Sequence, residues 1–145
     1  MLKERYGDVA VTMRGNVAEV EIRRPPNNFF DHDLIRNIAD ALDDLDQTRE
    51  CRAVVLCSEG KSFCAGANFS NRSASVLDSG SPRGRNPLYQ EAVRLFSTQK
   101  PVIAAVQGAA IGGGFGLAVF ADFRVACPEA RFAANFVKLG IHPGY

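Results

Sequence analysis

The sequence predicts an α/β domain in which buried strands alternate with helices. Two observations carry this. AVVLCS (53–58) and PVIAAV (101–106) are continuous apolar runs, as expected of strands covered on both faces. Between and around them lie segments of helical periodicity, so that strand and helix recur along the chain. At 145 residues the chain suffices for one domain with a real core and is short for two.

The elements follow in order. VAVTM (9–13) and NVAEVEI (16–22) alternate apolar and polar residues across Gly15 and read as paired strands. RRPPNNFF (23–30) is a loop, because paired prolines followed by paired asparagines fit no regular structure. In 31–50, Leu34, Ile35, Ile38, Ala41, Leu42 and Leu45 share one helical face, with Asp31 or Asp33 as N-cap. EGKSFCAGANFS (59–70) is turn-rich with an apolar centre. Residues 71–86 are rich in Ser, Gly, Asn and Arg and are expected to form a mobile loop. A helix is expected from Pro87 to Thr98, another over 115–121 after QGAAIGGG, and a strand over 122–127.

Seventeen basic and sixteen acidic residues leave a net charge of +1, which gives no electrostatic reason for a nucleic-acid or membrane partner. Cys51, Cys57, Cys64 and Cys127 form no C-x-x-C and hold no metal-ligand spacing with His32 or His142, so no metal is expected. They read as buried thiols of a reducing compartment. MLKERYGDVAVTM lacks the apolar centre of a signal peptide, and no apolar run has the length of a membrane span. A cytoplasmic protein is the expectation.

IGGGFGLAVFADF (111–123) raises the functional question, since glycine weakens a helix by about 1 kcal/mol relative to alanine. The dinucleotide fingerprint fails because position 117 is Leu and position 119 is Val. A P-loop fails because no Lys follows. Two readings stay open. Glycines can bare the N–H groups at a helix start, where negative charge arising during a reaction is stabilised. They can equally allow close packing against a neighbouring strand. The small residues of SFCAGANFS follow a buried strand, where α/β folds bind ligands, and could supply a second N–H donor.

Three segments carry a resemblance. KSFCAGANFS is similar to the F-C-A-G-A-D-L segment of the crotonase (enoyl-CoA hydratase/isomerase) superfamily. PVIAAVQGAAIGGGFGLAVFADFRVA resembles its P-V-I-A-A-V-x-G-x-A-x-G-G-G-x-E-L-A-x-x-C-D segment, and ARFAANFVKLGIHPG its A-x-F-x-x-P-E-x-x-L-G-x-x-P-G. RRPPNNFF looks like its R-P-x-x-N-A loop. The likeness runs from residue 9 to residue 144.

The resemblance implies a crotonase-like spiral of ββα turns over 1–145, cut short before the family's C-terminal helices. It also implies an acyl-CoA thioester enzyme, a lyase or isomerase, that stabilises an enolate, and homotrimers or hexamers of a longer chain. Coenzyme A enters only as part of the substrate, and no cofactor is implied. Ala67 and Gly113 fall on the oxyanion-hole positions. Arg24, Pro26, Asn27, Asn28, Ala65, Gly66, Asn68, Phe69 and Gly112 fall on segments that hold the CoA moiety, with Arg24 as a phosphate contact. The family's two catalytic glutamates fall on Gly116 and Phe136, neither of which can exchange a proton. Tyr89, Glu91, His142 and Tyr145 are candidate substitutes, each with an ordinary surface or turn role as the alternative. Cys64 paired with His142 would be a hydrolase nucleophile, although a buried thiol without a base is inert. The competing expectation for the whole is an acyl-CoA-binding homologue without catalysis.

Overall fold

The computed structural model describes residues 1–70 and 87–143. Strands β1 (Arg5–Tyr6), β2 (Val9–Arg14) and β3 (Val17–Ile22) form an antiparallel meander. From β3 the sheet continues in parallel through β4 (Ala53–Ser58), β5 (Val102–Val106) and β7 (Phe123–Ala126), giving six strands in the order β1-β2-β3-β4-β5-β7. A smaller parallel pair, β6 (Ala109–Ile111) with β8 (Arg131–Ala133), forms a second layer. An isolated parallel bridge adds Cys64 to the other side of β6.

Helix α1 (His32–Gln47) begins at Asp31, whose carboxylate accepts the Leu34 N–H at 2.8 Å, so Asp31 and not Asp33 is the cap. The expected face of Leu34, Ile35, Ile38, Ala41, Leu42 and Leu45 is buried against β1–β3 and α2 (Pro87–Leu95). At the other end of α1, Lys100 Nζ donates to the carbonyls of Leu45 and Thr48, satisfying helix-terminal acceptors with a cation. Arg94 braces the two helices through Asp40, Asp43 and Glu91.

Several boundaries differ from the sequence expectation. Helix α2 stops at Leu95 instead of Thr98. Helix α3 spans Gly113–Phe120, two residues earlier than expected, because its first turn is built from the glycines themselves. The last strand of the main sheet is Phe123–Ala126. Strands β6 and β8 are not among the elements expected from the sequence. At three residues each they are too short to show a period, and their pairing is entirely non-local. The expected mobile loop 71–86 lies outside the described residues, as does Tyr145. Asp122 accepts the Val102 N–H at 2.8 Å and joins the starts of β5 and β7. Among the described residues no helix is long and apolar enough to cross a membrane, and no cluster of His, Cys, Asp or Glu could hold a metal.

Candidate functional site

The small-residue run after β4 lies between two other segments. On one side the Cys64 N–H donates to Ala109 O at 2.9 Å and Cys64 O accepts from Ile111 at 3.0 Å. On the other side Ala65 N–H donates to Asn27 O at 2.9 Å and Gly66 O accepts from Phe30 at 2.8 Å. Residues 64–66 therefore form the middle strand of a tight three-segment layer. Gly66 has φ +84°, a conformation that favours glycine, and turns the chain out of that layer toward Ala67. Ala67, half-buried, makes no backbone hydrogen bond within the described residues.

The glycine triplet abuts this layer. Gly112 has φ +54°, and its N–H donates to Ala133 O at 2.9 Å, tying the start of α3 to β8. A Cβ at Gly113 would come within 2.5 Å of the Phe30 ring, and one at Gly114 within 2.0 Å of Cys64 O. Close packing, one of the two readings left open, is thus a full explanation for Gly114. It does not exclude the other reading for Gly113, which opens the first turn of α3. In consequence the amide of Gly113 and the chain at Ala67 belong to two backbone segments that are locked in direct contact at Gly114 and Cys64.

The positions expected to carry acids lie at the same place. Gly116 N–H closes the first turn of α3 on Gly112 O. A Cβ at Gly112 would lie 3.9 Å from Phe136 Cε1 and 3.3 Å from Asn135 Oδ1, so the 135–136 segment covers the start of α3. Phe115 and Phe132 meet edge-on nearby, with ring centroids 6.4 Å apart. Neither 116 nor 136 offers a proton.

The candidate substitutes are dispersed. Glu91 is bound to Arg94 on the α1–α2 face, and Tyr89 and His142 are exposed. Cys64 is completely buried, and that burial pushes its thiol up to about 12, with the Gly66 N–H pulling weakly the other way. It is a packing residue in this structure, not a thiolate. All four cysteines are free.

Of the residues expected to hold a CoA moiety, Asn27, Ala65 and Gly66 lie in the layer described above, Gly112 follows Ile111, which bonds to Cys64 in it, and Asn68 follows half-buried. Pro26 and Phe69 are exposed. Arg24 is committed internally: Nε meets Asp8 at 2.5 Å and Nη1 meets Asp31 at 2.7 Å, and with these partners its pKa rises despite burial. Among the described residues only its Nη2 has no partner. Asn28, expected on a CoA-holding segment, is the one buried polar residue among the described residues and works through its side chain.

The enoyl-CoA hydratase/isomerase family model matches residues 12–145. This chain belongs to that family. A Mycobacterium tuberculosis protein named "Probable enoyl-CoA hydratase EchA14" is 38% identical over 141 residues, covering 97% of this chain and 55% of the relative. The short-chain-enoyl-CoA hydratase of Clostridium acetobutylicum is 37% identical over 95% of this chain and 53% of its own length. The crystal structure of an enoyl-CoA hydratase subunit from Geobacillus kaustophilus superposes with a TM-score of 0.85 at 31% identity, over 98% of this chain and 54% of that one. The crotonase-like α/β fold expected from the sequence is thereby established, and the chain spans about half the length of these relatives.

Proposed function

We propose that the contact between Ala65–Ala67 and the start of α3 is an oxyanion site for an acyl-CoA thioester. In this reading the thioester oxygen accepts from the amides of Ala67 and Gly113. Negative charge that develops on it when an enolate forms is stabilised by fixed backbone dipoles and by the positive end of α3. Asn27, Ala65, Gly66, Asn68, Phe69 and Gly112 would line the passage of the CoA moiety, with Pro26 at its rim and Arg24 Nη2 as a phosphate contact. The observation that carries the reading is the locked approach of two small-residue backbone segments, seen at Gly114 and Cys64 O. As in the relatives named for it, the substrate class would be an enoyl-CoA. The native form would be a cytoplasmic homotrimer or hexamer.

Because Gly116 and Phe136 stand where the family's glutamates would, hydration should be slow. A positioned acid or base contributes roughly 10²–10⁴ in rate, and an oxyanion donor roughly 10²–10³. The same two residues favour the second reading, a pocket that binds acyl-CoA without turning it over. Both readings require thioester binding, and they separate on exchange of the α-proton of bound butyryl-CoA into deuterated water. Exchange above the solvent rate marks an enolate-forming enzyme, whereas binding without exchange marks a binding protein. Absence of binding removes both. Ala67→Pro deletes one donor N–H and should lower any exchange by about 10²-fold. Gly113→Pro is a poorer test, since its ring would meet Phe30.

A further inference from the structure

The turn that delivers residues 64–67 to the site is held by two side-chain amides from opposite sides. Asn28 Nδ2 donates to Glu59 O at 2.9 Å and to Ser62 O at 2.7 Å. Gln107 Nε2 donates to Ser58 O at 2.8 Å and to Gly60 O at 3.0 Å. The intervening carbonyl, that of Lys61, presses on Gly108 so closely that a Cβ there would lie 1.8 Å away. Turn carbonyls ordinarily face water. Here the carbonyls of Ser58, Glu59, Gly60 and Ser62 are all taken by these two side chains.

Each amide also sits beside a backbone bond to the site strand. Asn28 lies between Asn27, whose carbonyl accepts from Ala65, and Phe30, whose N–H donates to Gly66. Gln107 lies just before Ala109, whose carbonyl accepts from Cys64. Residues 64–66 are thus clasped by two flanking segments, and each flanking segment is separately tied to the turn immediately upstream. The result is a pair of closed rings. Neither amide can easily reorient. Asn28 is fully buried at φ +48° with Oδ1 accepting the Arg24 N–H at 2.8 Å, and Gln107 Oε1 accepts from Ser58 Oγ at 3.5 Å.

We propose that Asn28 and Gln107 are positioning residues for the thioester-binding backbone, setting the Ala67 amide against the first turn of α3. The inference rests on the oxyanion reading above. Its physical basis is that charge stabilisation by a backbone donor depends on sub-ångström placement. Placement of the donor at 67 is inherited from the spacing of the two segments that clasp 64–66.

The test uses butyryl-CoA labelled with ¹³C at the thioester carbonyl, whose chemical shift reports polarisation by hydrogen-bond donors. Gln107→Glu is isosteric but turns a donor into an acceptor facing carbonyls, and Gln107→Met removes the polar head. Asn28→Gly removes the other amide while tolerating the left-handed backbone. The wild-type chain should shift the bound carbonyl downfield. At least one Gln107 variant, and Asn28→Gly, should lose half or more of that shift while butyryl-CoA affinity changes less than about threefold. Any α-proton exchange should fall about 10-fold in kcat with little change in KM. A merely structural role would lower the melting temperature and leave the shift of the folded variant intact, which overturns the proposal. Binding by the wild-type chain with no downfield shift overturns the oxyanion reading itself, and this proposal with it. If a variant melts too low for NMR, amide exchange at Ala65–Ala67 decides at lower temperature. Protection there should drop about 10-fold relative to β2 and β3, and equal protection overturns the proposal.

Discussion

The candidate site has two walls, and they are made of different material. The wall formed by Cys64–Ala67 and Gly112–Gly114 is backbone against backbone, with Cys64 and Gly114 buried and every approach set by the lack of a side chain. The wall formed by α3 beyond Gly116 and by 131–141 is made of side chains, and many are exposed: Val119, Phe132, Val137 and Leu139 all show substantial surface. Stabilising an anion with peptide N–H groups needs geometry and no particular side chain. Moving a proton needs a particular side chain and tolerates a looser frame. On the proposed reading, two point differences, Gly116 and Phe136, remove the second capacity and leave the first in an unchanged fold.

That contrast is broken most sharply by restoring the side-chain wall. Gly116→Glu with Phe136→Glu should raise crotonyl-CoA hydration by about 10²–10⁴-fold over the unmodified chain, measured by loss of enoyl thioester absorbance. Both positions are half-buried, so the new carboxylates retain water access and the desolvation penalty is partial. Brisk hydration by the unmodified chain would show that another group moves the proton, and that 116 and 136 are not the missing acids.

The backbone wall should resist change where the side-chain wall accepts it. Gly114→Ala places a methyl 2.0 Å from Cys64 O, and neither α3 nor the Cys64 bridge can yield without breaking hydrogen bonds. We expect a loss of about 3 kcal/mol or more in denaturant unfolding. Gly140, unlike Gly114, is left-handed, at φ +69°, and no described atom lies within 4 Å of its would-be Cβ. Gly140→Ala should cost only the conformational strain, about 1 kcal/mol. Equal costs at the two positions would mean that packing does not distinguish the walls.

How far the sequence disclosed this arrangement follows from the same division. Helix α1 was legible because burial of Leu34, Ile35, Ile38, Leu42 and Leu45 against a sheet imposes a period that survives in any context. Strands β4 and β5 were legible as apolar runs for the same reason. The bridge at Cys64 and strands β6 and β8 were not, since their partners are fixed only once the chain has folded back on itself. Composition could not divide Gly112, held at positive φ, from Gly114, held by a carbonyl contact. Nor could it show that Asn28 acts through its amide, although an asparagine following Pro-Pro in a loop is a signal for local side-chain capping.

The smallest expected effects concern Cys64, which lies in the backbone wall yet carries the one side chain there with nucleophilic potential. Burial raises its thiol from 9.0 to about 12. A group with a raised folded value contributes stability that is complete below its unfolded value and is lost as pH climbs toward the folded one. Cys64 should thus weaken the fold only between about pH 9 and pH 12, and Cys64→Ala should flatten part of that decline in a series of thermal melts. Tyr6, also raised to about 12 by burial and its bond to Asp44, and Cys57, raised to about 11, will supply the remainder. At pH 8 iodoacetamide should modify the half-buried Cys57 and Cys127 before Cys51 or Cys64, as read by peptide mass mapping. Butyryl-CoA binding should survive Cys64→Ala, because its contribution to the site is the carbonyl against Gly114 and not the sulfur. Preferential alkylation of Cys64, blocked by butyryl-CoA, would instead expose a reactive thiol in the site and return the nucleophile reading to contention.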